Sequence, residues 1–175
     1  MPQVMKRADV VALYVDPRGP YPDLVEEWYD EARDARTYAG PWPVVAHPPC
    51  GPWGAWAHFC TKQDPGAFGV ALEAVNRWGG VIEHPANSRA FKAYAIEPTW
   101  EVDQCDWGFR ARKRTWLYVR PSSLMPAPRP LKKQPTHTLT NRKYSDLPGL
   151  SSQARHITPL AFAQWLIELA SQANK

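Results

Sequence analysis

Short apolar runs alternate with stretches of helical periodicity along the chain, and this alternation constrains the fold more than any other feature. Four apolar runs have the length and character of buried strands, and they lie at residues 9–15, 44–46, 80–83 and 116–119. Amphipathic spacing predicts helices over residues 24–38, 64–78 and 159–173. Strands that alternate with helices indicate an α/β fold, and we expect a three-layer, open, mostly parallel sheet of Rossmann-like type.

The chain of 175 residues is long enough for a single domain with its own hydrophobic core. We expect residues 1–119 to form the sheet core, residues 120–158 a proline-rich, basic and irregular segment, and residues 159–173 the last helix. Thr158 is the expected N-cap of that helix, because Pro159 follows it and proline is favoured in the first helical turn.

The sequence shows neither a targeting signal nor a disulfide pattern. No apolar stretch approaches the roughly 20 residues of a membrane span, and the first residues lack the apolar core of a signal peptide. The three cysteines are an odd set without the spacing of a disulfide scaffold. We therefore expect a protein of the reducing cytoplasm, with no membrane partner and with thiols free for chemistry.

Charge is distributed unevenly along the chain, although its net value is only +4. Residues 1–104 contain 9 Lys and Arg against 14 Asp and Glu, whereas residues 105–175 contain 12 against 3. A strongly basic end favours a polyanionic partner, with a solvated basic surface as the alternative. We expect a nucleic-acid-binding face at residues 110–114 and at four further positions, namely Lys132, Lys133, Arg142 and Lys143.

Cys50 directly follows a predicted strand and a pair of prolines, Pro48 and Pro49. The prolines end the strand and fix the backbone, so the thiol is held at the carboxyl edge of the sheet. Open α/β sheets bind their ligands at this edge. A rigid thiol there suits a nucleophile, and we expect nearby arginines to lower the pKa of Cys50. The alternative is a buried structural cysteine.

Like Cys50, a carboxylate and a cationic cluster lie next to predicted strands. Glu83 ends the third apolar run, and alternation places three arginines on one side of the segment before the fourth, namely Arg110, Arg112 and Arg114. A thiol, an acid and an arginine at successive strand ends suit conjugate addition to a pyrimidine ring. The thiolate would add to C6, the acid would pair with N3 and the exocyclic amine, and arginine would stabilise charge at the carbonyl.

Taken in order, these motifs resemble the catalytic motifs of DNA cytosine-C5 methyltransferases. The segments at residues 48–50, 83–85 and 112–114 stand where that family has its Pro-Cys nucleophile, its glutamate after the next strand and its Arg-x-Arg segment. The resemblance covers roughly residues 44–119 and implies a truncated methyltransferase fold. Wider stretches are similar to small phage and prophage proteins, which implies expression in the cytoplasm of a bacterial host.

The resemblance implies a transferase that adds a one-carbon group to C5 of a pyrimidine base in nucleic acid, with cytosine in DNA as the expected target. It implies Cys50 as the nucleophile, Glu83 as the partner of N3 and the amine, and Arg112 and Arg114 as carbonyl or phosphate contacts. Six neighbouring residues are candidate substrate contacts, namely Pro48, Pro49, Trp53, His84, Arg110 and Lys113.

The one-carbon donor is expected to bind in the turn after the first strand, at Asp16, Arg18 and Gly19. The resemblance implies SAM, but this turn has one glycine where the family has a glycine loop, and Arg18 would repel a sulfonium. We therefore expect SAM to bind weakly to the isolated monomer. One alternative is a folate donor. The other is a site that is completed by a partner subunit or by a second copy of the chain.

Other interpretations of the same residues stay open. Five residues offer nitrogen and sulfur ligands for zinc, namely His47, Cys50, His58, Cys60 and Cys105. They lack a paired Cys-x-x-Cys set, and we expect no metal. Trp53 either stacks on a base or covers the core. A nucleic-acid-binding module without turnover, active against host restriction, is the alternative to an enzyme.

Overall fold

The computed structural model describes residues 7–54, 57–60, 66–140, 143 and 145–174. Its strands are β1 (Ala8–Leu13), β2 (Val25–Tyr29), β3 (Val44–Ala46), β4 (Gly80–Pro85), β5 (Trp100–Asp103) and β6 (Arg114–Arg120). Its α-helices are α1 (Tyr21–Leu24), α2 (Ala67–Trp78), α3 (Arg89–Ala93), α4 (Ser152–His156) and α5 (Leu160–Ser171). None of these described helices combines the length and the apolar character that a membrane crossing requires.

One sheet joins the six strands in the order β2-β1-β3-β4-β6-β5. The first four strands of this order run parallel, whereas β6 is antiparallel to both of its neighbours. The predicted α/β fold with a mostly parallel sheet is therefore confirmed. Because β6 runs back along β4, Thr115 at the start of β6 is paired with Pro85 at the end of β4. The start of β6 thus lies at the carboxyl edge of the parallel strands.

The sheet is covered on both faces, which explains why its central strands are unbroken apolar runs. On β3, Val45 packs on the face covered by α5, whereas Val44 and Ala46 pack on the face covered by α2 and α3. Phe162 of α5 and Phe68 of α2 are completely buried against these two faces. Burying one such side chain contributes about 1.5–3 kcal/mol. The result is a three-layer arrangement of helices, sheet and helices.

The predicted helix over residues 24–38 is wrong, because most of its first half is β2. β2 is an outermost strand of the sheet and pairs in parallel with β1, with Val25 and Tyr29 buried. Val, Trp and Tyr favour strands, and this pairing overrides the amphipathic spacing. The strand ends at a turn in which the Asp30 carboxylate accepts the backbone N–H of Arg33. A side-chain bond of this kind competes with helix formation.

The other boundaries differ from the prediction at strand ends and at helix starts. β1 ends at Leu13 rather than at residue 15, β4 continues to Pro85, and β6 runs from Arg114 to Arg120. α2 begins at Ala67, after Gly66, and the start predicted at residues 64–65 lies outside the described residues. α5 begins at Leu160 with Pro159 as its N-cap and no side-chain cap, so the prediction of Thr158 as the cap is wrong. The short elements α1, α3, α4 and β5 were not predicted, since the three helices have only four or five residues each and β5 is stabilised by pairing with β6.

Gly80 begins β4 in a conformation and a space that only glycine fits. Its φ is +120°, and a Cβ at this position would lie 2.0 Å from the carbonyl oxygen of Val44. We expect Gly80→Ala to lower the free energy of unfolding by about 3 kcal/mol or more, because the pairing of β3 with β4 must shift. Urea denaturation measures this change.

Gly66→Ala is the matched control for this substitution. Gly66 also has a positive φ, +88°, but no described atom lies within 4 Å of its Cβ position. The expected cost there is about 1–2 kcal/mol, from backbone strain alone. Equal losses in the two variants would contradict the steric argument.

Candidate active site

A chain of buried and partly buried hydrogen bonds runs along the carboxyl edge of the sheet. It begins at Tyr21 in α1, continues through His47 after β3 and Glu83 in β4, and ends at Gln104 and Thr115. The antiparallel direction of β6 brings Thr115 to this edge. The fold therefore assembles the chain from five segments that are distant in the sequence.

Both ring nitrogens of His47 have hydrogen-bond partners. Nδ1 lies 2.7 Å from Glu83 Oε2, and Nε2 lies 2.6 Å from the hydroxyl oxygen of Tyr21. An ionised carboxylate only accepts, so Nδ1 carries a proton and donates it to Glu83. In the neutral ring Nε2 is then the acceptor, and the Tyr21 hydroxyl donates to it. These contacts fix the tautomer and the orientation of the imidazole.

Gln104 holds the other oxygen of Glu83. Its Nε2 donates to Glu83 Oε1 at 2.9 Å and to Thr115 Oγ1 at 3.1 Å. A 3-10 turn over Gln104–Trp107 presents this side chain, and the Asp103 carboxylate caps the turn by accepting the backbone N–H of Cys105. Gln104 is almost completely buried, so water does not compete for its contact with Glu83.

Glu83 is a buried carboxylate that stays ionised. Burial alone would raise its pKa, but the hydrogen bond from His47 and nearby positive charge, including that of Lys113, lower the pKa to about 2. Glu83 is consequently anionic at neutral pH. Each carboxylate oxygen retains a further lone pair, which can accept an N–H group of a ligand.

Cys50 lies in a tight turn at the same edge. Its carbonyl oxygen accepts the backbone N–H groups of Trp53 and Gly54, which fixes the turn, and its thiol is partly exposed and outside any disulfide. The expected lowering of its pKa is wrong. Burial and the negative charge of Glu83 raise the pKa of Cys50, and the charge of Lys113 offsets only part of this effect. Cys50 is therefore a protonated thiol at rest.

The arginines predicted for the site lie on the exposed surface, and two of them have acidic partners. Arg112 contacts Asp103 at 3.2 Å, and Arg114 contacts Glu101 at 2.6 Å. Arg110 is also exposed. Surface pairs of this kind contribute about 0–1 kcal/mol to stability.

The alternation along β6 explains why Arg114 faces away from the site. Arg114 shares a sheet face with Trp116, whereas Glu83 is paired with Leu117 and lies on the opposite face. The structure therefore does not bring Arg114 together with Cys50 and Glu83.

Lys113 is a cation that the structure does place at this edge. Its charge lowers the pKa of Cys50 and the pKa of Glu83. Its ammonium donates to the carbonyl oxygen of Arg155 at 3.2 Å and lies 4.9 Å from the ring centroid of Phe109. Lys113 is thus within electrostatic reach of both the thiol and the carboxylate.

His84, a candidate substrate contact, lies on the other face of β4 from Glu83. It is buried, its ring packs edge-on against Phe68 with the centroids 5.2 Å apart, and its Nδ1 lies 2.7 Å from Ser88 Oγ. These contacts give His84 a place in the core under α2. The structure does not bring it to the thiol.

The remaining candidate substrate contacts surround Cys50 in the chain. Pro48 is buried and Pro49 is exposed. Trp53 is partly buried on the α2 face of the sheet, with its ring centroid 6.2 Å from that of Tyr94. This packing favours the interpretation in which Trp53 covers the core.

The turn after β1 is closed by its own ion pair. Arg18 Nη2 lies 2.7 Å from Asp16 Oδ2, and the same carboxylate accepts the backbone N–H of Arg18. The hydrogen bonds from Arg18 lower the pKa of Asp16 to about 2. A Cβ at Gly19 would lie 3.1 Å from the Asp16 carbonyl oxygen, so the turn is tight. The three predicted cofactor contacts are therefore engaged with one another.

The predicted nucleic-acid-binding residues lie in the irregular segment. Lys132, Lys133 and Lys143 are exposed, and Arg142 lies outside the described residues. The Cys105 thiol donates to the carbonyl oxygen of Lys133 at 3.6 Å, a distance suited to sulfur. This contact ties the basic segment to the 3-10 turn that carries Gln104.

Sequence reasoning missed the place of four members in the hydrogen-bonded chain, namely Tyr21, His47, Gln104 and Thr115, and considered His47 only as a zinc ligand. His47 follows β3 as directly as Cys50 does, and that position is a signal that could have identified it. Tyr21 and Gln104 carry no comparable signal, because their partners are 26 and 21 residues away in the sequence. Such contacts become visible only once the strands are in register.

Neither a metal-binding arrangement nor a similar protein of known function indicates what this site does. Among the described residues, no group of three or more His, Cys, Asp and Glu side chains is arranged to hold a metal ion. His47 uses both ring nitrogens in other contacts. No family model matches the chain, and no curated protein is significantly similar to it.

The low pKa of Glu83 predicts a specific sensitivity to acid. Folding moves this pKa from 4.5 to about 2, so the folded state favours the ionised carboxylate. The resulting stability, on the order of 3 kcal/mol, is present above the unfolded pKa and is lost as the pH falls through the folded pKa. In Glu83→Gln, the free energy of unfolding should therefore fall less between about pH 5 and about pH 2 than in the wild type.

Urea denaturation across this pH range checks the prediction, with Glu73→Gln as the control. Glu73 is an exposed glutamate on α2, and its replacement should leave the acid limb of the stability curve unchanged. The prediction fails if Glu83→Gln and the wild type lose stability in parallel.

Proposed function

We propose that the chain transfers a one-carbon group to C5 of a pyrimidine base in nucleic acid, with cytosine in DNA as the substrate and Cys50 as the nucleophile. The observation that carries the proposal is the position of Cys50 and Glu83 at one sheet edge, where the carboxylate acts on the pKa of the thiol. Glu83 is also held in a fixed orientation by His47 and Gln104. Orientation of this kind is a large part of catalysis.

The chemistry starts with a bond between the Cys50 sulfur and C6 of the base. The electrons of the C5=C6 bond move to C4=C5, those of the C4=N3 bond move to N3, and N3 takes up the proton that the Cys50 thiol gives up. C5 is then nucleophilic and would take up the one-carbon group, while the donor would retain the electron pair of the bond that breaks. Loss of the protons at C5 and N3, with cleavage of the S–C6 bond, restores the aromatic ring and the thiolate.

Glu83 and Lys113 support this addition through charge. The Glu83 carboxylate accepts the exocyclic N–H of the base and the N–H that forms at N3. These contacts offset its negative charge, which raises the pKa of Cys50 in the free protein. Binding of the base therefore favours formation of the thiolate, and the positive charge of Lys113 acts in the same direction. The nucleophile is activated by its own substrate.

The turn after β1 does not fit SAM. Arg18 already pairs with Asp16, and the turn at Gly19 is tight rather than open. A sulfonium would meet a guanidinium there, whereas an anionic donor such as a folate would not be repelled.

Exchange of hydrogen at C5 tests the proposal without a donor. Addition of Cys50 to C6 makes C5 basic, so a cytosine-containing DNA oligonucleotide incubated with the protein in D2O should gain deuterium at C5. Mass spectrometry of the nucleosides measures the exchange. Cys50→Ala should abolish it, whereas Cys60→Ala removes a thiol of the next turn and should leave it.

Each result of this experiment has a clear meaning. Exchange that persists in Cys50→Ala would rule out Cys50 as the nucleophile. DNA binding without exchange in the wild type would contradict the transferase and favour a binding module instead.

Charge reversal tests the nucleic-acid partner. Lys132 and Lys133 are exposed on the basic half of the chain, and each phosphate contact releases counterions. The double reversal of Lys132 and Lys133 to Glu should therefore reduce the slope of log affinity against log salt by about 2. Fluorescence anisotropy with a labelled DNA duplex measures this slope.

The matched control reverses two exposed cations outside the basic segment, Arg77 in α2 and Lys92 in α3. It changes the net charge by the same amount and should leave the slope unchanged. Equal effects of the two double variants would show that net charge, not a defined face, determines binding.

A further inference from the structure

A group of basic side chains lies beside the proposed active site. Arg155 and His156 occupy the last turn of α4, and Lys113 lies directly before β6. The hydrogen bond of 3.2 Å from Lys113 Nζ to the Arg155 carbonyl oxygen holds α4 against the start of β6. α4 itself begins at Ser151, whose hydroxyl accepts the backbone N–H of Ala154 at 3.1 Å. Two cations, Lys113 and Arg155, and the imidazole of His156 are thus held at the carboxyl edge of the sheet.

The local charge balance at this group is positive. Burial lowers the pKa of His156, and the charges of Lys113 and Arg155 lower it further, so His156 is a neutral imidazole at neutral pH. The Asp16 carboxylate acts on His156 in the opposite direction but is already paired with Arg18. Two cations beside an imidazole N–H favour an anionic ligand.

Arg155 supplies a second, independent observation. Its side-chain Nε is shielded from solvent and has no hydrogen-bond partner among the described residues. A buried donor without an acceptor is destabilising, and native proteins satisfy almost all such groups. The Nε–H group of Arg155 therefore lacks a hydrogen-bond acceptor among the described residues. Phosphate and carboxylate groups match a guanidinium in shape and charge.

We infer that Lys113, Arg155 and His156 form a binding site for the phosphate group attached to the nucleoside whose base lies at Cys50 and Glu83. This inference rests on the proposed function. Two of the three ammonium protons of Lys113 remain after its bond to Arg155, and both can be donated to phosphate oxygens. Because Lys113 also acts electrostatically on Cys50 and Glu83, a phosphate held here lies next to the base. Binding of the phosphate group thereby positions the nucleotide so that its base contacts the Cys50 thiol.

The experiment follows the Arg155 Nε–H signal by NMR in the 15N-labelled full chain and measures affinities by calorimetry. The probes are inorganic phosphate, dCMP, deoxycytidine and a cytosine-containing oligonucleotide. We expect the phosphate-bearing probes to shift the signal and deoxycytidine to leave it in place. Arg155→Gln should weaken dCMP binding by about tenfold or more and leave deoxycytidine binding unchanged. Arg129→Gln, at an exposed position of the irregular segment, should bind dCMP as the wild type does.

The oligonucleotide distinguishes two sources of the phosphate. If the phosphate belongs to a nucleic-acid backbone, Arg155→Gln also lowers the salt slope of oligonucleotide binding by about 1. If it belongs to a free nucleotide, dCMP binding weakens and the oligonucleotide is unaffected.

The inference is overturned if no phosphate-bearing probe shifts the Arg155 signal, or if Arg155→Gln and Arg129→Gln bind dCMP equally. This failure is separate from that of the proposed function. C5 exchange without a phosphate effect would remove the phosphate site alone, whereas a phosphate effect without C5 exchange would remove the transferase alone.

Discussion

The ionised carboxylate of Glu83 in the interior is the interaction on which the carboxyl edge of the sheet depends. An uncompensated charge at this depth would cost several kcal/mol, so its partners must stay in place. They come from elements far apart in the chain, since His47 follows β3 and Gln104 lies between β5 and β6. The charge therefore fixes the relative positions of these segments, and Tyr21 in turn fixes His47. A rigid edge is the precondition for any chemistry at Cys50.

The same charge controls the thiol. Glu83 raises the pKa of Cys50, so the free protein keeps its candidate nucleophile protonated. Thiols in this form react slowly with oxidants and other electrophiles, because the thiolate is the reactive species. A ligand that brings N–H groups to Glu83 relieves the repulsion. Reactivity is thereby coupled to occupancy of the site, without a conformational change.

The sequence was sufficient for the parts of the fold and site that local patterns determine. Glu83 lies inside β4, which continues to Pro85 rather than ending at residue 83. The strands around residues 80–83 and 116–119, and the place of Cys50 after a strand, follow from apolar runs and prolines. The direction of β6 does not, because it depends on pairing with β4 and β5. That direction and register decide that Lys113, rather than its neighbouring arginines, acts at the site.

β2 and the candidate site residues show two further limits of sequence reasoning. The segment at residues 24–38 has helical spacing, and only the free edge of β1 makes residues 25–29 a strand. His84 was predicted as a substrate contact from its place beside Glu83 in the chain. Adjacent residues of a strand point to opposite faces of the sheet. His84 therefore lies on the opposite face from Glu83, although it is the next residue in the sequence.

The position of β2 at the margin of the sheet has a consequence for association between molecules. An outermost strand exposes backbone groups that can pair with a strand of another molecule. Here Glu26 is exposed, and Arg33 contacts Glu27 at 2.7 Å while its guanidinium lies 3.9 Å from the ring centroid of Tyr29. Charged side chains therefore line this edge of the sheet, and the Arg33 guanidinium covers the ring of Tyr29. The charges of this segment oppose strand pairing with another molecule at this edge.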